Sequence, residues 1–114
     1  MVNILVAEDD VNLNRLVCAC LNSAGYAATG CADGAEALEK LAEKHFDMII
    51  SDIMMPHADG FALAAAVRTS DKTVPVLFMT ALSDMPSKQR GYRLGIDDYL
   101  VKPFETEELL LRVQ

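Results

Sequence analysis

Short apolar runs that stop at polar or acidic residues recur along this chain, and a stretch with helical spacing follows each one. Val2–Ala7 is almost wholly apolar and is ended by Glu8, Asp9 and Asp10, the pattern of a strand buried on both faces. Leu13, Leu16, Val17, Cys20, Leu21 and Ala24 then recur at helical spacing, and Gly25 supplies the stop. Tyr26–Cys31 reads as a second, weaker strand. Asp33, with Glu36 three residues on, predicts a capping box for a second helix with the stripe Ala37, Leu38, Leu41. Phe46–Ser51 is the clearest strand, and Asp59 can cap a third helix carrying Leu63, Ala66 and Val67. Val74–Thr80 is the fourth strand. The fourth helix, about Asp84–Leu94, contains Gly91 and few large apolar side chains; little burial holds it, so it is expected to move more readily than the others. Tyr99–Val101 is a short fifth strand, and Thr106–Val113 starts a last helix with Leu109, Leu110 and Val113 facing in.

Strands that alternate with helices imply an α/β fold: a doubly wound, five-stranded parallel sheet covered on both faces. A length of 114 residues fits one domain without staples. Hydrophobic residues at 52% and charged residues at 24% exclude disordered and coiled-coil classes. The net charge of −7 makes direct contact with nucleic acid or an anionic membrane an unfavourable reading. Cys18, Cys20 and Cys31 have neither the number of a disulfide framework nor the spacing of a zinc site. No basic, apolar leader opens the chain and no apolar run is long enough to span a bilayer, so a cytoplasmic protein is expected.

In sheets of this kind ligands bind beyond the carboxyl ends of the strands. The first strand ends in Glu8 and Asp9, the third in Asp52, the fourth in Thr80 followed by Ala81, and the fifth in Lys102 followed by Pro103. Any one of these has a bland reading as a helix cap or a solvated strand end; the conjunction does not. Crowded carboxylates repel unless a cation sits among them, and hard oxygen ligands suit Mg²⁺. A carboxylate can attack phosphorus to give an aspartyl-phosphate, and a Lys ammonium and a Thr hydroxyl can each stabilise the phosphoryl oxygens.

The segments ILVAEDD (4–10), DIMMPHADG (52–60), MTA (79–81) and DDYLVKPF (97–104) together resemble the receiver domain of bacterial two-component response regulators, in order and spacing over the whole chain. The resemblance implies the flavodoxin-like receiver topology with strand order 2-1-3-4-5. It implies Asp52 as the acceptor of a phosphoryl group from a sensor histidine kinase. It implies Mg²⁺ held by Asp9, Asp52 and the backbone carbonyl of Met54, with Glu8 reaching the metal through water. Lys102 would pair with the acids and then with the phosphoryl group, and its bond to Pro103 is expected to be cis. Thr80 is the expected switch hydroxyl and Tyr99 the switch aromatic, swinging inward as Thr80 moves toward the phosphoryl oxygens and carries the following loop with it.

A further resemblance, to the winged-helix transcription-factor subfamily, implies a homodimer through the fourth helix, fifth strand and fifth helix. Lys88, Asp97, Asp98, Glu108 and Arg112 occupy places where that subfamily puts interface charges, with Lys88–Glu108 and Asp98–Arg112 as candidate cross-subunit pairs; Arg93 departs from an acidic place. On this reading residues 1–114 are a single receiver domain with its last helix cut short, and a separate output domain makes any DNA contact. His57 reads as an exposed loop residue, His45 as a surface residue, and Asp59 and Gly60 as ordinary helix-start residues. A haloacid-dehalogenase-type phosphatase would carry an acid where Met54 stands, and a flavodoxin-like cofactor binder would carry a phosphate loop where Glu8-Asp9-Asp10 stands. A degenerate docking module would lack the intact set of Asp9, Asp52, Thr80 and Lys102. The chain is therefore expected to be a regulatory phosphoacceptor rather than a turnover enzyme.

Overall fold

The computed structural model describes residues 1–114. Five strands and five helices alternate: β1 (Asn3–Ala7), α1 (Val11–Ser23), β2 (Ala27–Cys31), α2 (Gly34–Glu43), β3 (Met48–Ser51), α3 (Gly60–Ser70), β4 (Val76–Thr80), α4 (Met85–Arg93), β5 (Asp98–Val101) and α5 (Thr106–Val113). The sheet is wholly parallel, in the order β2-β1-β3-β4-β5, as expected.

Successive side chains of a strand point to opposite faces, and the apolar runs supply a core to each. Ile4, Val6, Ile50, Leu77, Met79 and Leu100 point to one face, where Val17 and Leu21 of α1 and Leu109 of α5 cover them. Leu5, Ala7, Ile49, Val76, Phe78 and Tyr99 point to the other, beneath Ala37 of α2 and Phe61, Leu63, Ala64 and Val67 of α3. No helix is long and apolar enough to cross a membrane.

Helix starts follow the sequence closely. Asp10, Asp33, Asp59 and Asp84 each accept a hydrogen bond from a backbone N–H in the first turn of the helix that follows. The capping box of α2 departs in one detail: Glu36 Oε1 accepts from the N–H of Ala32, not from that of the cap Asp33. Gly25 and Gly95 have φ of +97° and +92°, the left-handed backbone that ends α1 and α4. Strands β3 and β4 begin two residues later than expected. Phe46 and Val74 are buried in the core but lie ahead of the hydrogen-bonded ladders of β3 and β4. Leu38, expected in the stripe of α2, is exposed.

Helix α4 buries only Gly91. A methyl group there would lie 2.9 Å from Ile96 Cδ1 and 3.1 Å from the ring of Phe78, so a bare glycine lets the helix settle directly on the sheet. Cations at its edge add to this hold. Arg90 lies 4.1 Å from the ring centroid of Phe61, and Lys88 Nζ lies 5.8 Å from that of Tyr99. Phe61, Phe78 and Tyr99 form an edge-to-face row, with centroid separations of 5.7 and 6.2 Å.

Candidate functional site

The order of the strands turns back between β1 and β3, which run on outward to either side of that point. The first residues past both strands are acids, so Glu8 and Asp9 come to lie beside Asp52. One carboxylate oxygen of each of the three lies within 4.8 Å of the others. Thr80 ends β4, and Lys102 follows β5.

Lys102 ties the site together. Its Nζ lies 2.6 Å from Glu8 Oε1 and 2.8 Å from Asp52 Oδ2. The peptide bond from Lys102 to Pro103 is cis, as expected. Burial opposes the ammonium charge, but the hydrogen bonds and charges of Asp52 and Glu8 outweigh it and hold Lys102 above its ordinary value. Glu8 is almost wholly buried, and burial raises its carboxyl despite the hydrogen bonds it accepts from Lys102 and from the N–H of Asp10. Asp52 is also buried, and its Oδ1 accepts from the N–H of Ile53 at 2.6 Å. Asp9 is exposed at the mouth of the cluster.

These acids outnumber the single Lys, and their donors are all hard oxygens. Such a set fits a small divalent cation like Mg²⁺, which binds through a few carboxylates and keeps waters of its own.

Thr80 and Tyr99 meet at one loop residue. Thr80 Oγ1 accepts from the N–H of Leu82 at 3.3 Å, and the Tyr99 hydroxyl donates to the carbonyl of Leu82 at 2.6 Å. Tyr99 is already packed inside, 7% exposed. Ala81, between Thr80 and Leu82, is exposed.

The charges assigned to an interface divide into groups. Arg112 reaches Asp98 of its own chain at 2.7 Å and Glu108 at 3.6 Å. Asp97 works internally too: its Oδ2 accepts from the N–H of Val76 at 2.8 Å and from Arg68 at 3.2 Å. Arg68 also donates to the carbonyls of Gly95 and Asp71, tying the end of α3 to the turn before β5. Lys88 sits over Tyr99, and Arg93 is exposed.

Two supporting residues escaped the sequence reading. A methyl group at Gly60 would lie 2.3 Å from the carbonyl oxygen of Asp52 and 2.7 Å from Cα of Ile53. The N–H of Gly60 donates to the carbonyl of Ile53 at 2.7 Å, so α3 begins directly against the backbone of Asp52. A glycine behind a capping Asp gives no sign of this. The other is Asn14, whose carboxamide reaches the end of β1; polar spacing on a helix does not single it out. His57 is exposed in the loop after Asp52, with φ of +70°, and His45 lies beside Asp47 on the surface.

The model of the response regulator receiver domain family matches residues 4–114. The transcriptional regulatory protein PcoR of Escherichia coli is 39% identical over 114 residues, all of this chain and 50% of that protein. The transcriptional regulatory protein RprY of Bacteroides fragilis is 38% identical over 111 residues, 97% of this chain and 47% of that protein. The chain thus spans about half the length of these curated relatives. Among solved structures, chemotaxis response regulator CheY4 of Vibrio cholerae superposes with a TM-score of 0.95 at 39% identity, covering 100% of this chain and 97% of that one. Response regulator TrrA of Thermotoga maritima, solved in complex with Mg(2+)-BeF, superposes with a TM-score of 0.90 at 33% identity, covering 99% of this chain and 96% of that one.

Proposed function

This chain belongs to the response regulator receiver domain family, whose members are phosphorylation-dependent signalling switches, and we propose that Asp52 is its phosphoacceptor. The observation that carries the assignment is the bridge from Lys102 to both Asp52 and Glu8 at the point where the strand order turns back.

A carboxylate oxygen of Asp52 attacks the phosphorus of a kinase phosphohistidine. A P–O bond forms, the P–N bond breaks, and the imidazole nitrogen keeps the electron pair and takes up a proton. Lys102, already within hydrogen-bond distance of Asp52, moves onto a phosphoryl oxygen. Asp9 and Asp52, with the backbone carbonyl of Met54 and with Glu8 through water, would hold Mg²⁺. When bound, the ion offsets the negative charge gathered by the carboxylates and the phosphoryl oxygens. Thr80 turns its hydroxyl toward the phosphoryl group, which draws on its bond to the N–H of Leu82. Because Tyr99 holds the carbonyl of that residue, the displacement reaches β5 and α4.

The curated relatives are transcriptional regulators about twice as long as this chain, which supports an output domain that binds DNA and a receiver of the winged-helix subfamily. The phosphorylated form dimerises through α4, β5 and α5, with Lys88 and Glu108 pairing across the boundary. This domain is a regulatory module that assists its own phosphotransfer and dephosphorylation.

The test is treatment with acetyl phosphate, with and without Mg²⁺, read by intact mass. One Mg²⁺-dependent adduct, absent from Asp52→Ala, is the expected result. A folded chain that takes no adduct overturns the assignment.

A further inference from the structure

The ladder between β1 and β2 ends at the pair Ala7 and Cys31. Past it, the carbonyl of Glu8 has no strand partner, and the carbonyl of Cys31 takes the N–H of Glu8 at 3.0 Å. Asn14 lies in the first turns of α1, where a side chain leans back toward the start of its helix. Its Nδ2 lies 3.0 Å from the carbonyl of Glu8 and 3.0 Å from that of Cys31. An amide NH₂ has two hydrogens, and both are used on two strand ends. Its Oδ1 faces the thiol of Cys18 at 3.5 Å.

Gly30 makes room for this arrangement. A methyl group on Gly30 would lie 2.3 Å from Asn14 Oδ1 and 3.2 Å from Cγ. The carboxamide could swing away only by dropping both hydrogen bonds, so the glycine and the asparagine form a matched pair.

We propose that Asn14 is a positioning residue for the acidic pair: it clamps the main chain of Glu8 to the end of β2 and so fixes the backbone from which Glu8 and Asp9 face the site. The proposal rests on the reading of that site as a Mg²⁺-dependent phosphoacceptor. Its chemistry also says why an amide stands there. A carboxylate at this place would set oxygen against two carbonyl oxygens, and an aliphatic side chain would leave the carbonyl of Glu8 without a donor and that of Cys31 with the N–H of Glu8 alone. Groups that orient metal ligands through their hydrogen bonds are typically worth about 10- to 100-fold in metal affinity.

The test is a MgCl₂ titration followed through the backbone amide NMR signals of Asp9, Asp10 and Ile53, on the parent chain, Asn14→Leu, Asn14→Ala and Gly30→Ala. Asn14→Ala is included because it adds no bulk and folds even if the leucine does not. The expected result is Mg²⁺ binding weakened about tenfold in the Asn14 variants and weakened in the same direction in Gly30→Ala. Hydrogen exchange should quicken at Asp9 and Asp10 while the amides of β4 stay as protected as in the parent. Variants that lose urea stability yet bind Mg²⁺ within twofold of the parent would reduce Asn14 to a structural clip and overturn the inference alone. A parent chain that takes no Mg²⁺ at these amides would overturn the reading of the site itself.

Discussion

The Tyr99 hydroxyl donates to the main-chain carbonyl of Leu82 at 2.6 Å. The same residue gives its N–H to Thr80, so one link in the loop after β4 is held from both sides. Replacing Tyr99 with Phe removes one hand of this grip and leaves the ring in its row with Phe78. Stability should fall by about 1 kcal/mol in urea unfolding, and amide exchange should quicken between residues 82 and 84. An unchanged exchange pattern would show that the hydroxyl does not restrain the loop.

Lys102→Met leaves Glu8 and Asp52 close together with no cation between them. In Mg²⁺-free buffer at neutral pH the variant should be less stable by roughly 3 kcal/mol, the usual cost of breaking a buried ion pair from one side. Adding Glu8→Gln should restore much of the loss, because a neutral amide tolerates burial without a counter-charge. Equal losses in the single and double variants would mean that packing of the Lys stem, not charge, sets the cost.

Gly60→Ala tests the close approach of α3 to the backbone of Asp52. The added methyl group meets backbone atoms that cannot rotate away. Stability should drop by about 2 kcal/mol or more. The yield of phosphoryl adduct should fall even at temperatures where the variant is folded. A variant with parental melting temperature and adduct yield would show that the turn after β3 can relax.

Asp97 and Lys88 separate folding from association. Asp97→Ala leaves the N–H of Val76 without its acceptor and frees Arg68 from one partner, so it should cost about 1–2 kcal/mol in urea unfolding. Lys88→Ala should change stability by under about 0.5 kcal/mol beyond the loss of a weak cation–π contact. It should instead weaken self-association of the phosphorylated chain, read by sedimentation. The reverse pattern would move the interface from Lys88 to Asp97.

Asp71 gives a dependence on pH. Its carboxylate accepts from the N–H of Thr73, from the Thr73 hydroxyl and from the N–H of Val74, and these bonds hold it below its ordinary value, the first most strongly. A carboxyl lowered in the folded state contributes stability above its unfolded pKa, near 3.9. That contribution is lost as the pH falls through the lower, folded value. Asp71→Ala should therefore melt at a lower temperature than the parent at pH 6, and the gap should narrow below about pH 4. A gap that stays constant would mean that the charge is not what the loop uses.

Much of this architecture could be read from residue order because local and long-range signals agree. Four aspartates cap four helices, and apolar residues serve both faces of the strands. The strand boundaries were less legible: Phe46 and Val74 are as buried as ladder residues, but burial does not require pairing. The charged groups of the site were visible because like charges at strand ends are costly without a purpose. Its supports were not. Asn14 and Gly60 act through a carboxamide placed across two strands and through the absence of a side chain, and neither has a local signature. Asp97, expected as an interface charge, also accepts from Val76 and Arg68 in the turn before β5, and nothing local in the sequence marks those bonds.

The salt bridge from Glu8 to Lys102 joins residues 94 positions apart in a chain of 114. During synthesis, the acids of β1 and β3 leave the ribosome well before the lysine that pairs with them. A growing chain therefore carries Glu8 and Asp52 long before it carries the cation that bridges them. A fragment that stops short of Lys102 lacks the cation that ties the acids to the last strand.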